Sequence, residues 1–298
     1  MPLPAEKSPD TQSAASTNPI PWLLLLWCSA LLIATYLPIL TLMVNQWNND
    51  DDMGHGFFVP IVALYVVWQM RDSLLALKPK PSWLGVPLLV WGALQMAVGM
   101  LGAELFLQRT AFLISVVGSI VMLGGWTMLR ALQFPLAMLV FMIPIPAVIY
   151  NQITFPLQLL ASRVAEVALL AIGIPVLRDG NVLELASQKL SVVEACSGIR
   201  SLLSLSFLSL VYGYFFEERR LVIRWALFLS TVPIAIAANS FRVSLTGVLS
   251  EYNPELAQGF FHSLEGWVIF VFALVLLVGC HRLIVRVASL LSSSKVSA

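Results

Sequence analysis

Trp22-Leu-Leu-Leu-Leu-Trp-Cys-Ser-Ala-Leu-Leu-Ile-Ala-Thr-Tyr-Leu-Pro-Ile-Leu-Thr-Leu-Met-Val44 carries no charged side chain from end to end. A helix needs about 20 such residues to cross about 30 Å of hydrocarbon. The run is too long for a signal-peptide core, and no clear small-residue cleavage site follows it. It is expected to be a retained first span. Similar runs follow at Phe57 to Met70, Trp83 to Leu101, Thr110 to Leu129, Leu132 to Ile149, Ile199 to Phe216, Leu221 to Ala238 and His262 to Leu283. The expected fold is therefore all-α, a polytopic transmembrane helical bundle of about eight spans.

Composition agrees. Of 298 residues, 59% are hydrophobic and 11% charged, against about 25% charged in soluble chains, too few to cover a water-facing surface. A net charge of +1 without a basic patch excludes nucleic acid as a partner class. The three cysteines, Cys28, Cys196 and Cys280, are too scattered for a disulfide framework or a metal site. Neither a metal nor another cofactor is expected. Residues 1–20 are polar and rich in Ser, Thr, Pro and Ala, as in a disordered tail. The membrane domain is expected over 21–288, with a short tail at 289–298.

Cytoplasmic loops collect Lys and Arg. Arg71, Lys78 and Lys80 mark one such loop, Arg219, Arg220 and Arg224 another, and Arg282, Arg286 and Lys295 the C-terminal end, while Asp50, Asp51 and Asp52 fall on the other side. With both termini inside, inner segments hold eleven of the seventeen basic residues, Lys7 and Arg130 being the other two. This topology requires that 155–174 not cross. Gln158, Ser162, Arg163 and Glu166 give that segment a polar face, so it is expected to be an amphipathic helix in the interface. Asn181-Val-Leu-Glu-Leu and Leu190-Ser-Val-Val-Glu are expected to form a short extracytoplasmic β-hairpin.

Ionisable groups near membrane depth are costly and so mark functional candidates. Cys196 stands where the hairpin gives way to an apolar helix, and a helix N-terminus favours a thiolate; a structural cysteine at a tight turn fits the same context. Arg242 follows Asn239 by three residues, on the same helix face. It suits a carboxylate or a developing oxyanion, or a snorkelling helix anchor. His262 opens the last span and is a candidate general acid or base, or a water-exposed interfacial residue. His55 also starts a span on the outer side, and charge logic leaves it open as the base. His281, beside Arg282, falls on the inner side and is read as bland. Charge bias alone thus puts Cys196, Arg242 and His262 at the outer ends of three successive spans, as a nucleophile, an oxyanion donor and a base require.

The chain resembles the exosortase family, within the exosortase and archaeosortase group of membrane cysteine transpeptidases. Glu194-Ala-Cys-Ser-Gly-Ile-Arg-Ser201 is similar to its cysteine motif, Ala238-Asn-Ser-Phe-Arg242 to its arginine motif and Gly259-Phe-Phe-His262 to its histidine motif, in the family's order. Similarity extends over Gly54-His-Gly-Phe-Phe-Val-Pro60, Phe141-Met-Ile-Pro-Ile-Pro146, Asn151-Gln-Ile-Thr-Phe-Pro-Leu-Gln158 and Gly173-Ile-Pro-Val-Leu-Arg-Asp-Gly-Asn181. The resemblance implies a hydrolase-class enzyme of the bacterial inner membrane with its active site on the extracytoplasmic side. Its partners would be membrane lipid and exported proteins with a C-terminal sorting signal: a short motif, commonly Pro-Glu-Pro, then a transmembrane helix and basic residues. Cys196 would form a thioester with the cleaved protein, Arg242 would stabilise charge and His262 would carry the proton. An envelope acceptor, such as exopolysaccharide or a lipid-linked glycan, would then take the product. Asn239, Arg200, Glu194 and His55 are secondary candidates. A transporter should show internal repeats or mid-membrane charges, and a polysaccharide-handling protein without peptidase activity a larger outer loop.

Overall fold

Helices α1 (Trp22–Asn49), α2 (Phe58–Gln69), α3 (Arg71–Ala76), α4 (Gly85–Leu101), α5 (Leu105–Met138) and α6 (Ala147–Ala171) lead to three short strands, β1 (Val176–Asp179), β2 (Val182–Leu185) and β3 (Lys189–Ser191). Helices α7 (Gly198–Phe216), α8 (Leu221–Tyr252) and α9 (Phe260–Ser294) complete the chain. Two 3₁₀ segments, Asp51–Phe57 and Leu139–Met142, precede α2 and follow α5. The computed structural model describes residues 22–191, 198–217, 220–252 and 260–294; the side chains of 22, 51–52, 198–201, 260–266 and 291–294 lie outside the description. The expected tail over 1–20 falls outside the described residues, whereas most of the expected C-terminal tail belongs to α9.

Among the described residues five helices are long and apolar enough to cross a membrane: Leu23–Asn49, Leu105–Met142, Ala147–Ala171, Leu221–Tyr252 and Trp267–Leu290. Met53–Gln69, Gly85–Leu101 and Leu202–Phe216 are apolar but shorter. The expected eight crossings are thus not reproduced as eight full-length spans. Leu23, Leu101 and Val222 are each more than 80% exposed, an outer surface suited to lipid. Trp68, Trp83, Trp126 and Trp225 also face outward, near Arg71, Lys80 and Arg224, the placement interfacial tryptophan favours. We call this the basic end of the bundle.

Three glycines decide how α4 and α5 pair. Gly85, Gly92 and Gly99 recur every seven residues and are all buried. A methyl on Gly85 would lie 2.4 Å from the Met122 amide nitrogen and 2.5 Å from the Gly118 carbonyl oxygen, and one on Gly92 would lie 2.4 Å from Ser115 Oγ. Without a hydrophobic drive between helices in lipid, close backbone approach supplies the packing. Gln95 donates to Thr110 Oγ1 at 2.6 Å, Gln108 donates to the Gly99 carbonyl at 2.9 Å, and Tyr36 of α1 shares a hydrogen bond with Ser115 at 2.8 Å. Gly85→Ala meets backbone that cannot rotate away and is expected to cost about 1–3 kcal/mol, read as a lower midpoint of thermal unfolding in detergent. Gly279→Ala, with open space around its new methyl, should leave the midpoint unchanged.

The run expected at 110–129 and the first part of that expected at 132–149 lie in one helix, α5, which is broken at Gly125, whose φ is 75° and ψ −171°; the second run then continues through the Leu139–Met142 turn into α6. Any side chain at Gly125 would strike the Lys80 carbonyl oxygen, 1.9 Å from the Cβ position. The Lys80 amide donates to the Gly124 carbonyl at 3.2 Å, so the loop before α4 fills the bend. Past the break the chain climbs back from the basic end: Phe134 stacks on Tyr214 at 4.1 Å and Phe141 meets Phe207 at 6.1 Å.

Helix α6 corrects the expectation of an interfacial helix. It starts at Ala147 and stands beside α8, with Tyr150 and Ile153 near Phe228 and Val232 and Leu169 against Gly247. Three of the four side chains on its polar face meet the sheet: Glu166 accepts from Arg178 Nε at 2.8 Å, Ser162 donates to the Gly180 carbonyl at 3.1 Å, and Gln158 accepts from Asn181 at 3.3 Å, while Arg163 is exposed. Gly173, at φ 87°, ends the helix in a Schellman cap, the Ile174 amide donating to the Leu169 carbonyl and Gly173 to that of Leu170, both at 3.0 Å.

The expected hairpin forms as β2 and β3, with Leu183 opposite Leu190 and Glu184 opposite Lys189. A third strand, β1, pairs with β2 so that Asp179 faces Val182. Leu183, Leu185 and Leu190 pack with Ala165, Leu169 and Val243, which seats the sheet on α6 and the last turns of α8, far from the basic end. Ser187 donates to Glu251 at 2.8 Å and Gln188 to Ser250 at 2.6 Å. The Glu184 hydrogen bond raises the pKa of Lys189 above the ordinary lysine value.

Candidate functional site

Two antiparallel helices set the depth of the candidate residues. Ser206 of α7 bonds Thr231 of α8 at 3.2 Å, and Gly213 lies against the Arg224 side chain. Each residue up α7 therefore matches one down the register of α8, which brings Gly198, the first described residue of α7, level with Asn239. Leu205, Leu227, Ala238, Ala273 and Leu277 fill the space between α7, α8 and α9.

Helix α8 is about 48 Å long at 1.5 Å per residue, against about 30 Å of hydrocarbon. The residues from Leu221 to Phe241 alone are enough to cross that thickness, and Arg242 follows them. It is 7% exposed, as is Asn239 one turn earlier, so both face into the bundle. A snorkelling anchor keeps its head in water, and an arginine this buried does not. The neighbouring hydroxyls bond to their own helix: Thr246 donates to the Arg242 carbonyl at 3.0 Å, Ser240 to Ile236 and Ser244 to Ser240, both at 2.8 Å.

His262 is the third residue of α9. That helix passes α8 where Phe272 stacks on Phe241, ring centroids 4.8 Å apart; His262 is ten residues earlier, about 15 Å along the axis. Its side chain and that of Arg200 lie outside the described residues, as do Glu194 and Cys196 altogether. Of the expected residues the structure thus brings Asn239 and Arg242 together, level with the start of α7.

His55 is placed elsewhere. Its Nε2 meets the Phe141 carbonyl at 3.2 Å, while Trp47 Nε1 donates to the Met142 carbonyl at 2.9 Å. The two rings fasten the Leu139–Met142 turn within a cluster that includes Met43, Val59, Met138 and Phe207. His281 links helices: a ring whose Nε2–H donates to Glu217 at 2.9 Å accepts the Tyr212 hydroxyl at Nδ1, 3.0 Å away. It joins α9 to α7 at the basic end.

Arg109 escaped the sequence reading, which began its span at Thr110. The helix starts at Leu105, capped by Glu104, whose carboxylate accepts from the Leu107 amide at 2.9 Å, and this buries Arg109 to 5% exposure. It donates to Gln46 at 2.7 Å, and its Nε has no partner among the described residues. Glu104 ahead of an apolar run was the available signal.

About two turns below Gly198 lies a cavity of about 210 Å³, walled by Phe141, Tyr150, Ile153, Leu203, Phe228 and Val232. Ser206 and Thr231 also line it, but their hydroxyls are bonded to one another, which leaves apolar walls.

The family model for transmembrane exosortases matches residues 47–279. No curated protein and no solved structure matches the chain.

Proposed function

The chain belongs to the transmembrane exosortase family, and on that premise we propose that it is a cysteine transpeptidase that cleaves the C-terminal sorting signal of exported proteins. The observation that carries this reading is Arg242, buried beside Asn239 and level with the start of α7. Cys196 precedes Gly198 by two residues in sequence, and the reading requires its sulfur to reach the Arg242 guanidinium.

The chemistry follows from those roles. The Cys196 thiolate attacks the carbonyl carbon of the scissile amide, and the oxyanion so formed faces the fixed donors of Arg242. The C–N bond breaks as His262 protonates the leaving amine, which departs with the substrate's membrane helix. A thioester remains on Cys196. An acceptor hydroxyl or amine, deprotonated by His262, attacks that thioester and releases the thiolate. The basic end faces the cytoplasm of a bacterial inner membrane, in keeping with the placement of Lys80, Arg220 and Arg224, and the sheet end faces outward. An exopolysaccharide-linked or lipid-linked glycan is the acceptor class.

Mass spectrometry of an exported protein bearing such a signal, with and without this chain, tests the reading. The expected product is shortened at the motif and carries the acceptor's mass at its new C-terminus. A shortened product with a free carboxyl would mean that water is the acceptor, and a full-length protein in both samples would refute the peptidase reading.

A further inference from the structure

The sheet has the order β1-β2-β3, so among the described residues β3 is bonded on one side. The open edge is defined by the register. The Leu185 amide donates to the Gln188 carbonyl at 2.9 Å, and antiparallel pairs alternate between bonded and non-bonded. Leu183 and Leu190 are therefore the next bonded pair, while Lys189 and Ser191, opposite Glu184 and Val182, turn their N–H and C=O groups away from β2. Lys189 is exposed and Ser191 half-buried.

The strand also has a direction. Gln188 is tied to Ser250 near the end of α8, Leu190 packs with Val243, and α7 begins level with Asn239. The chain thus descends along β3 toward the buried arginine and the helix start, with Cys196 five residues past Ser191 in sequence. A peptide must be extended for its amide to be cut, and an exposed strand edge is a ready template for an extended peptide.

We propose that the open edge of β3, at Lys189 and Ser191, binds the substrate segment ahead of the cleaved bond as an added parallel strand. This rests on the reading of Cys196 as nucleophile. Parallel pairing sends the substrate in the same direction as β3, toward Cys196 and then down beside α7, where the apolar cavity lies. A substrate residue opposite Leu190 donates its N–H to the Lys189 carbonyl and accepts at its C=O from the Ser191 amide. In a Pro-Glu-Pro segment the glutamate takes that place. Both prolines then turn their N–H-less side away, as proline on an edge strand must.

The test uses the full chain in proteoliposomes and a synthetic peptide with Pro-Glu-Pro ahead of an apolar helix and a basic tail. In a second peptide an ester oxygen replaces the glutamate N–H; a third carries the same change several residues upstream. The second should lose about fivefold or more in kcat/KM, the effect of one missing peptide hydrogen bond, and the third nothing. Ser191→Pro, which deletes the opposite donor, should bring a loss of the same size. Equal turnover of the first two peptides overturns the strand pairing, and so does a well-accumulated Ser191→Pro protein of normal rate. If the all-amide peptide is not cut in a Cys196-dependent way, the reading of the site has failed and the pairing falls with it.

Discussion

Arg242→Lys is expected to lose nearly as much activity as Arg242→Ala, on the order of 100- to 1,000-fold in rate, the usual consequence of removing an oxyanion donor. Lysine keeps the charge and the length but replaces a planar fork of donors with a single ammonium. The site makes that difference felt, because a side chain 7% exposed has little room to re-aim. Turnover by membranes holding equal amounts of each variant is the measurement. A helix anchor would accept lysine, so near-wild-type turnover of a well-accumulated Arg242→Lys protein would return the residue to a structural role.

The hydropathy of the chain announces membrane helices plainly, yet helix ends and breaks escape it. The expected boundary near Arg130 lies instead at Gly125, because the bend is dictated by the approach of the Lys80 carbonyl, a contact between residues far apart in sequence. Helix α6 was misjudged for a related reason. Its polar side chains suggest an interface, but β1 and the turn after it supply partners for Glu166, Ser162 and Gln158, namely Arg178, Gly180 and Asn181. That strand itself was legible in hindsight: Gly180-Asn181 between Val-Leu-Arg-Asp and Val-Leu-Glu-Leu is a two-residue hairpin signal.

The candidate site divides in the same way. Residue types and motif order pointed to Cys196, Arg242 and His262, and helical spacing put Asn239 with Arg242. The burial of that pair was not legible, since helical spacing fixes which residues share a face and not what packs against it. Arg109 was missed because the apolar run hides the turn of helix that precedes it.

Cys196→Ala should lower processing on the order of a million-fold, as nucleophile removal does in serine proteases, while the protein inserts and accumulates. Cys28 and Cys280 are free, half-buried thiols on α1 and α9, and Cys280 packs against the apolar cluster around Leu277. Both should tolerate alanine. The central claim, a covalent intermediate on Cys196, is tested most directly by rapid quenching of the reaction followed by mass spectrometry of the peptide that contains residue 196. The account predicts an acyl adduct there that hydroxylamine releases and that Cys196→Ala lacks. Processing by Cys196→Ala at the wild-type rate, or an adduct on any other side chain, would contradict it.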